Sequence, residues 1–497
     1  MIALLALRNL VLRPWRSAFL LLGYSLGVAV MVVLLSIGEA LLAQARDEKL
    51  VGGGDVTVLP EGIDVEVLKT GGLGGMFFSI DHARFIYAQL LAAPRLAPFL
   101  DAAAPQIEGK LLYARTRSGR ELPVLASGEI PSRTVAVGAG PSITAGSWTD
   151  DGDDVAWRDP RPDELRQAID HFHLPPVAAR QAPTWAEWHY FNVLSPDGNR
   201  WAFVSFIVAG EVPGGRWGGQ VLVTLHSQGG ASRRFVATVP PNQVKFSTTR
   251  ADVAMGNSSV TVLADGRYAV RAYAKDESGR DSVQVNLVVA PAVGAYFPGA
   301  ALSSGETVSG YVVPGLRASA IGSICVGARC EQFDGAQAYH DHNWGVWRGV
   351  SWEWGAARAG QFTVLYGRVQ PADSAVASQP LFVYVVDSLG FLAVYRPREI
   401  RYDDGRVVRV GGQDVRVPSR ATMIDVRGDD TLSVELTIDD AAATDTRAPG
   451  VERGEGLSNR SLARPYFVQM KGRMRVSGRV RGRPIAGDGA GFFETYR

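Results

Sequence analysis

The sequence predicts a mainly β protein, of antiparallel sandwich or barrel type, carried behind one membrane-spanning helix. Three observations predict it. From about Trp185 to the C-terminus, period-two hydrophobic stretches alternate with turn signals at a spacing of about 10 residues, as in FNVLSPDGNRWAFVSFIV and SVTVLADGRYAVRAYAKDESGRDSVQVNLVV. The 497 residues include 56 glycines and 27 prolines, a turn-rich composition that excludes a helical bundle. One long run lacks charge: the 21 residues from Ala18 to Gly38, AFLLLGYSLGVAVMVVLLSIG. Composition sets the limits of function. A hydrophobic share of 46% with 11 tryptophans excludes a disordered chain. A net charge of +1 excludes a globally basic nucleic-acid binder, because phosphate neutralisation needs excess Lys and Arg. A mean hydropathy of +0.02 excludes a polytopic membrane protein.

Residues 1–50 are the N-terminal transmembrane anchor. As a helix, the uncharged run reaches about 30 Å, the thickness of the bilayer hydrocarbon. Arg8, Arg13 and Arg16 precede it, and Glu39 with mixed charges follows. The positive-inside rule therefore puts the N-terminus in the cytoplasm and the bulk of the chain outside. A cleaved signal peptide is the alternative, with Ala43-Gln44-Ala45 as the cleavage site, but the apolar run is longer than a secretory core. Gly23 and Gly27 form a GxxxG pair that could seat a second helix.

Residues 51–150 read as an α+β region. GDVTVLPEG is a strand running into a turn, DHARFIYAQLLAAPRL a helix that stops before Pro94, and PQIEGKLLYARTRSGRELPVLASG a pair of strands around an SG turn. Residues 151–182 read as a linker, acidic at first, then a short helix PDELRQAIDHFH ending at Pro175-Pro176. His171 and His173 read as solvated loop histidines. Two β-modules follow, at 183–302 and 303–497. Ala186-Glu187-Trp188-His189-Tyr190-Phe191 opens the first, and Trp352-Glu353-Trp354-Gly355-Ala356 holds a similar place in the second. Cys325 and Cys330 fall opposite one another across a Gly327-Ala328 hairpin turn, which predicts a cross-strand disulfide and an oxidising compartment. The odd-numbered stripe Lys471, Arg473, Arg475, Arg479, Arg481 and Arg483 reads as the wet face of a strand.

The densest candidate site is AYHDHNWGVWRGVSWEW, residues 338–354, where four tryptophans and two histidines fall within 17 residues. On an extended strand His340, His342 and Trp344 face one way, and Tyr339, Asp341 and Asn343 the other. Three readings compete. A metal site would need a third and fourth ligand, and none is evident nearby. A structural Asp–His pair with stacked Trp rings would close a barrel end. An acid in an aromatic pocket could protonate an alkene and leave a carbocation for water to capture. Glu187, His189 and Tyr190 are the next candidates. The sequence contains no P-loop, GxSxG or dinucleotide-binding fingerprint.

Residues 185–497 resemble the AttH-like and carotenoid 1,2-hydratase-like superfamily. The resemblance is carried by Glu187-Trp188-His189-Tyr190, by Tyr339-His340-Asp341-His342-Asn343-Trp344-Gly345, by Tyr366 and by Gly491-Phe492-Phe493-Glu494. It implies two tandem lipocalin-like antiparallel β-barrel modules that bind an apolar isoprenoid or lipid. It also implies a hydro-lyase or isomerase that uses no cofactor and no metal. The residues it points to for catalysis are Asp341, His342 and Tyr366. Those for ligand binding are Glu187, Trp188, His189, Tyr190, His340, Trp344, Trp347, Trp352 and Trp354. Where the hydratases carry a carboxylate two residues beyond the tyrosine, this chain has Arg368, so Asp341, Glu353 or Asp387 would supply the proton. Residues 1–150 resemble the start of a MacB/FtsX-type ABC transporter permease, in LRNLVLRPWRSAFLLLGYSLGVAVMVVLLSIGEAL and GDVTVLPEG. That implies a partial permease-type extracytoplasmic domain and a single-pass protein of a bacterial-type inner membrane. The alternative function is a non-catalytic accessory to an ABC export system, with ATPase and permease subunits as partners.

Overall fold

A computed structural model describes residues 12, 14–46, 80–138, 150–152, 154–155, 169–173, 185–211, 216–230, 232–304, 307–346, 350–370, 380–445, 465–480 and 482–497. The chain forms two compact units, residues 1–87 with 99–159, and residues 88–98 with 160–497. In the first unit, a helix spans Pro14–Arg46, and its apolar stretch Pro14–Ile37 buries nothing against protein. Its length and composition fit a single-pass anchor or a signal sequence. Open space surrounds Gly23 and Gly27, so no element of this chain packs on the GxxxG pair among the described residues. Strands Gln106–Arg115 and Glu121–Glu129 pair as an antiparallel hairpin, with Gly119 in the left-handed region (φ +83°) at the expected SG turn. A helix covers Ile80–Ala92, ending before Pro94 as the sequence predicts. GDVTVLPEG and most of PDELRQAIDHFH lie outside the described residues.

The second unit is built from two large antiparallel sheets. In the first sheet, eight strands form a ring: Trp185–Leu194, Arg200–Glu211, Arg216–Ser227, Arg233–Val239, Tyr268–Lys275, Ser282–Pro291, Thr307–Val326, Ala336–Val346, and back to Trp185–Leu194. The ring closes through a single bridge between Val236 and Lys275. Three short strands (Val244–Phe246, Val253–Met255, Ser258–Val262) extend from Tyr268–Lys275. The second sheet runs through nine strands from Gly390–Tyr395 to Arg401–Asp403, with Ser351–Ala359 hydrogen-bonded to Arg483–Tyr496 at its middle.

The change of sheet falls between residues 346 and 351, not at 302. Residues 337–346 pair one for one with 185–194, from Gln337↔Leu194 to Val346↔Trp185, and Thr307–Val326 bridges that strand to Ser282–Pro291. Hydrogen-bond pairing across more than 140 residues of sequence carries the first sheet past the boundary expected at 302. The two aromatic openings do hold equivalent places, since Trp185–Leu194 and Ser351–Ala359 are each the first strand of their sheet. Cys325 and Cys330 are directly opposite and disulfide-bonded, as predicted. Arg473, Arg475 and Arg479 occupy the exposed face of Tyr466–Val480.

Strand alternation divides the buried side chains among three cores. Inside the first sheet lie Phe191, Val204, Phe206, Val223 and Leu287. Inside the second lie Val364, Val385, Val434, Met470 and Val476. Between the sheets lie Trp188, Phe203, Ile207, Tyr311, Trp354, Phe382 and Phe492. At about 25 cal/mol per Å² of buried apolar surface, this third layer holds the two sheets together without covalent help.

Candidate functional site

The strand Ala336–Val346 serves two compartments. Its odd positions Tyr339, Asp341 and Asn343 face the layer between the sheets, and its even positions His340, His342 and Trp344 face into the first sheet. The alternation is the one expected of an extended strand.

Between the sheets is a small cleft lined by Trp188, Tyr190, Ser205, Tyr311, Asp341, Asn343, Trp352, Trp354, Val369, Phe467 and Glu494. Asp341 is held from both sides: Tyr339 Oη donates to Oδ2 at 2.8 Å, and Asn343 Nδ2 donates to Oδ1 at 2.6 Å. Trp354 Nε1 in turn donates to Tyr339 Oη at 2.8 Å, so a residue of the second sheet positions the acid's partner. Burial raises the Asp341 carboxyl to about 6, against the pull of the Tyr339 and Asn343 hydrogen bonds and the His340 charge. Burial and the neighbouring Asp341 charge hold Tyr339 well above the usual tyrosine range, so it stays a donor. Across the cleft, Glu494 accepts from Tyr190 Oη at 3.0 Å and from Trp352 Nε1 at 3.0 Å. The cleft therefore holds two carboxyl groups framed by tryptophan and tyrosine rings.

The interior of the first sheet holds a different cluster. Asp170, 1% exposed, accepts from Tyr268 Oη at 2.5 Å and lies 2.7 Å from His342 Nδ1 and 3.4 Å from His340 Nε2. His342 Nε2 lies 3.0 Å from Glu187, which also receives the backbone N–H of His173 at 2.8 Å. His342 bridges two carboxylates, and their hydrogen bonds and charges lift it to about 9 although burial, the largest single effect, acts in the opposite direction. Burial leaves His189 well below the usual histidine range, reinforced by the charge of His342. His173 stacks on Trp344 with ring centroids 3.6 Å apart at 7°, closing the cluster on one side. Two triads bring possible ligand atoms within 4.8 Å of one another: Asp170, His189 and His340, and His173, Glu187 and His342.

The residues singled out by sequence thus fall in separate places. Asp341, Trp188, Tyr190, Trp352 and Trp354 meet at the cleft. His342, His340, His189, Glu187 and Trp344 lie in the first sheet's interior. Tyr366 is fully buried in the core of the second sheet, and its hydroxyl has no hydrogen-bond partner among the described residues. Asp341, His342 and Tyr366 therefore do not form one constellation. Glu353 is paired with Arg368 at 2.5 Å and Asp387 with Arg95 at 2.5 Å, which leaves Asp341 alone of the three proposed acids without an arginine. Trp347 lies outside the described residues. His173 is packed and paired rather than solvated, and the expected linker supplies Asp170 and Phe172 to the core. Sequence reasoning missed Asp170, and it placed Tyr339 on the face of Asp341 without giving it a role.

No family model matches the sequence, and no curated protein matches it. Several solved structures align with 66% of this chain. An AttH-like protein from Nitrosomonas europaea is 15% identical over 98% of that chain, with a TM-score of 0.44. Kievitone hydratase from Nectria haematococca is 13% identical over 94% of that chain, with a TM-score of 0.41. CghA, with Sch210972, is 15% identical over 94% of that chain, with a TM-score of 0.40.

Proposed function

We propose that the second unit consists of two lipocalin-like modules, binds an apolar isoprenoid or lipid in the cleft between them, and acts on it as a cofactor-independent hydratase or isomerase with Asp341 as the acid. One observation carries this reading. Asp341 is a buried carboxyl with no arginine or lysine paired to it among the described residues, oriented by Tyr339 and Asn343, in a cleft walled by Trp188, Trp352 and Trp354. A neutral carboxyl there transfers its proton to an alkene carbon. The electron-rich ring faces stabilise the cation that forms. Water then adds to the cation and returns a proton to Asp341, so one water is gained overall. In the isomerase variant, the proton leaves from a neighbouring carbon instead. To test it, the full chain in detergent is incubated with acyclic carotenoids and the products are weighed by mass spectrometry. Gain of one water by the wild type and not by Asp341→Asn supports the reading. No adduct, or an equal adduct from Asp341→Asn, refutes it.

We further propose that Pro14–Arg46 anchors the protein in a bacterial-type inner membrane, N-terminus inside and bulk outside. The arginines before the helix and the Cys325–Cys330 bond support that orientation. Release of the chain from membranes by alkaline carbonate would refute the anchor. A second reading, an accessory of an ABC export system, draws on the resemblance of residues 1–150 and on the helix and hairpin of residues 80–129. It predicts co-purification with an ATPase.

A further inference from the structure

The cluster inside the first sheet plays no part in the chemistry proposed for the cleft, and its geometry asks for a cation. We propose that Asp170, His189 and His340 bind a divalent transition-metal ion of the Zn²⁺ class. All three are buried, and their ligand atoms lie within 4.8 Å of one another.

Three features of the cluster carry the assignment. First, His340 Nδ1 lies 3.1 Å from the backbone carbonyl of Tyr190. A carbonyl only accepts, so Nδ1 carries a proton and Nε2 is turned toward Asp170. Nε2 stands 3.4 Å from Asp170 Oδ2, a long contact for a hydrogen bond. A metal ion between them replaces that one long contact by two bonds. The spacing suits it: metal–ligand bonds of about 2.0–2.1 Å in a tetrahedron put neighbouring ligand atoms about 3.4 Å apart. A ligating imidazole that gives its other N–H to a backbone carbonyl is the usual arrangement at protein metal sites.

Second, His189 is fully buried, and among the described residues neither ring nitrogen has a well-formed hydrogen bond. The backbone of Ala251 lies against the ring, and Asp170 Oδ1 stands 4.0 Å from Nδ1. A buried imidazole with unsatisfied nitrogens is costly unless something occupies the space it faces. Third, two carboxylates, Asp170 and Glu187, are buried side by side around His342, and among the described residues no lysine or arginine pairs with either. Carboxylates so placed offer anionic oxygen donors to a cation.

The neighbours complete the site. His342 Nδ1 at 2.7 Å and Tyr268 Oη at 2.5 Å fix the Asp170 carboxylate from outside the metal position. His173, on the only partly exposed edge of the cluster, covers the way in by stacking on Trp344. Bound there, the ion fastens the segment 169–173 to the strands Trp185–Leu194 and Ala336–Val346. Two histidines and one carboxylate leave a fourth position open to water.

The test uses the full chain, without a polyhistidine tag, expressed in zinc-supplemented medium and purified in detergent. Elemental analysis is expected to find about one zinc per chain in the wild type and in His226→Gln, whose buried histidine lies on another strand. In His189→Gln the affinity for ZnCl₂ is expected to fall at least tenfold after chelator treatment. Cobalt loading of the wild type is expected to give visible ligand-field bands that Zn²⁺ displaces, a readout independent of whether any variant folds. No zinc in the wild type and no cobalt bands would overturn the proposal and leave a cluster held by protons alone. So would equal zinc affinity in wild type and a folded His189→Gln.

Discussion

Replacing Asp341 by Asn gives the sharpest test of the cleft, because the two side chains have the same shape and only one titrates. Burial raises the Asp341 carboxyl from the ordinary 3.8 to about 6. A folded-state value above the unfolded one means that the folded protein prefers the neutral acid. Between those two values the unfolded chain holds fewer protons than the folded one, so stability falls as pH rises through that window. The displacement corresponds to about 3 kcal/mol, borne by the wild type at pH 7 and absent below about pH 4. An asparagine in its place carries no such load, and its amide can still accept from Tyr339. The stability difference between Asp341→Asn and wild type should therefore move in favour of the variant by up to about 3 kcal/mol from pH 4 to pH 7. Denaturant unfolding followed by tryptophan fluorescence at a series of pH values measures it. Parallel stability curves for the two proteins would refute the reasoning, as would a difference that shrinks with rising pH. The same group predicts that turnover by the wild type declines above about pH 6, as the neutral acid is lost.

Three other predictions follow from packing. Arg368→Ala leaves Glu353, nearly fully buried, without its partner at 2.5 Å and should cost about 3–5 kcal/mol, whereas Arg368→Gln with Glu353→Gln should recover most of it; urea midpoints decide. Gly367→Ala would set a Cβ into the Trp354 ring, closer than van der Waals contact allows, so Trp354 must shift and release Tyr339. The expected result is about 1–3 kcal/mol of destabilisation together with weaker ligand binding in fluorescence titration. Cys325→Ser with Cys330→Ser should lower stability by about 2 kcal/mol or less without unfolding the protein, because the bond closes so short a loop; calorimetry under otherwise identical conditions checks it.

The parts of this architecture that depend on local pattern were legible in the sequence. The two faces of Ala336–Val346 follow from period-two geometry, and the Cys325–Cys330 pairing follows from counting back from a tight turn. What depends on distant pairing was not. Nothing near residue 302 reveals that 307–346 completes the first sheet, since that is decided by hydrogen bonds to 185–194 and 282–291. Asp170 sits in a stretch, DHFHLPP, whose composition is that of a connector, and its partners lie 98 to 172 residues further on. The aromatic and acidic residues of 338–354 are close in sequence, which made one site the natural expectation. Alternation instead assigns them to opposite sides of one sheet. Tyr366 was placed by resemblance, and it occupies the second sheet's core.

The strand Ala336–Val346 is a partition one residue thick. His340 and Asp341 are adjacent in the chain, yet each belongs to a chamber the other does not enter. A mutational scan along it should therefore give effects that alternate with every step: one set altering the cluster around Asp170, the next altering the cleft. It also means the two chambers cannot drift independently. Inserting or deleting a single residue would turn the histidines into the aromatic cleft and Asp341 into the cluster, exchanging the chemistry of both at once. The register of this strand, more than any one side chain on it, is what keeps an acid apart from a set of bases.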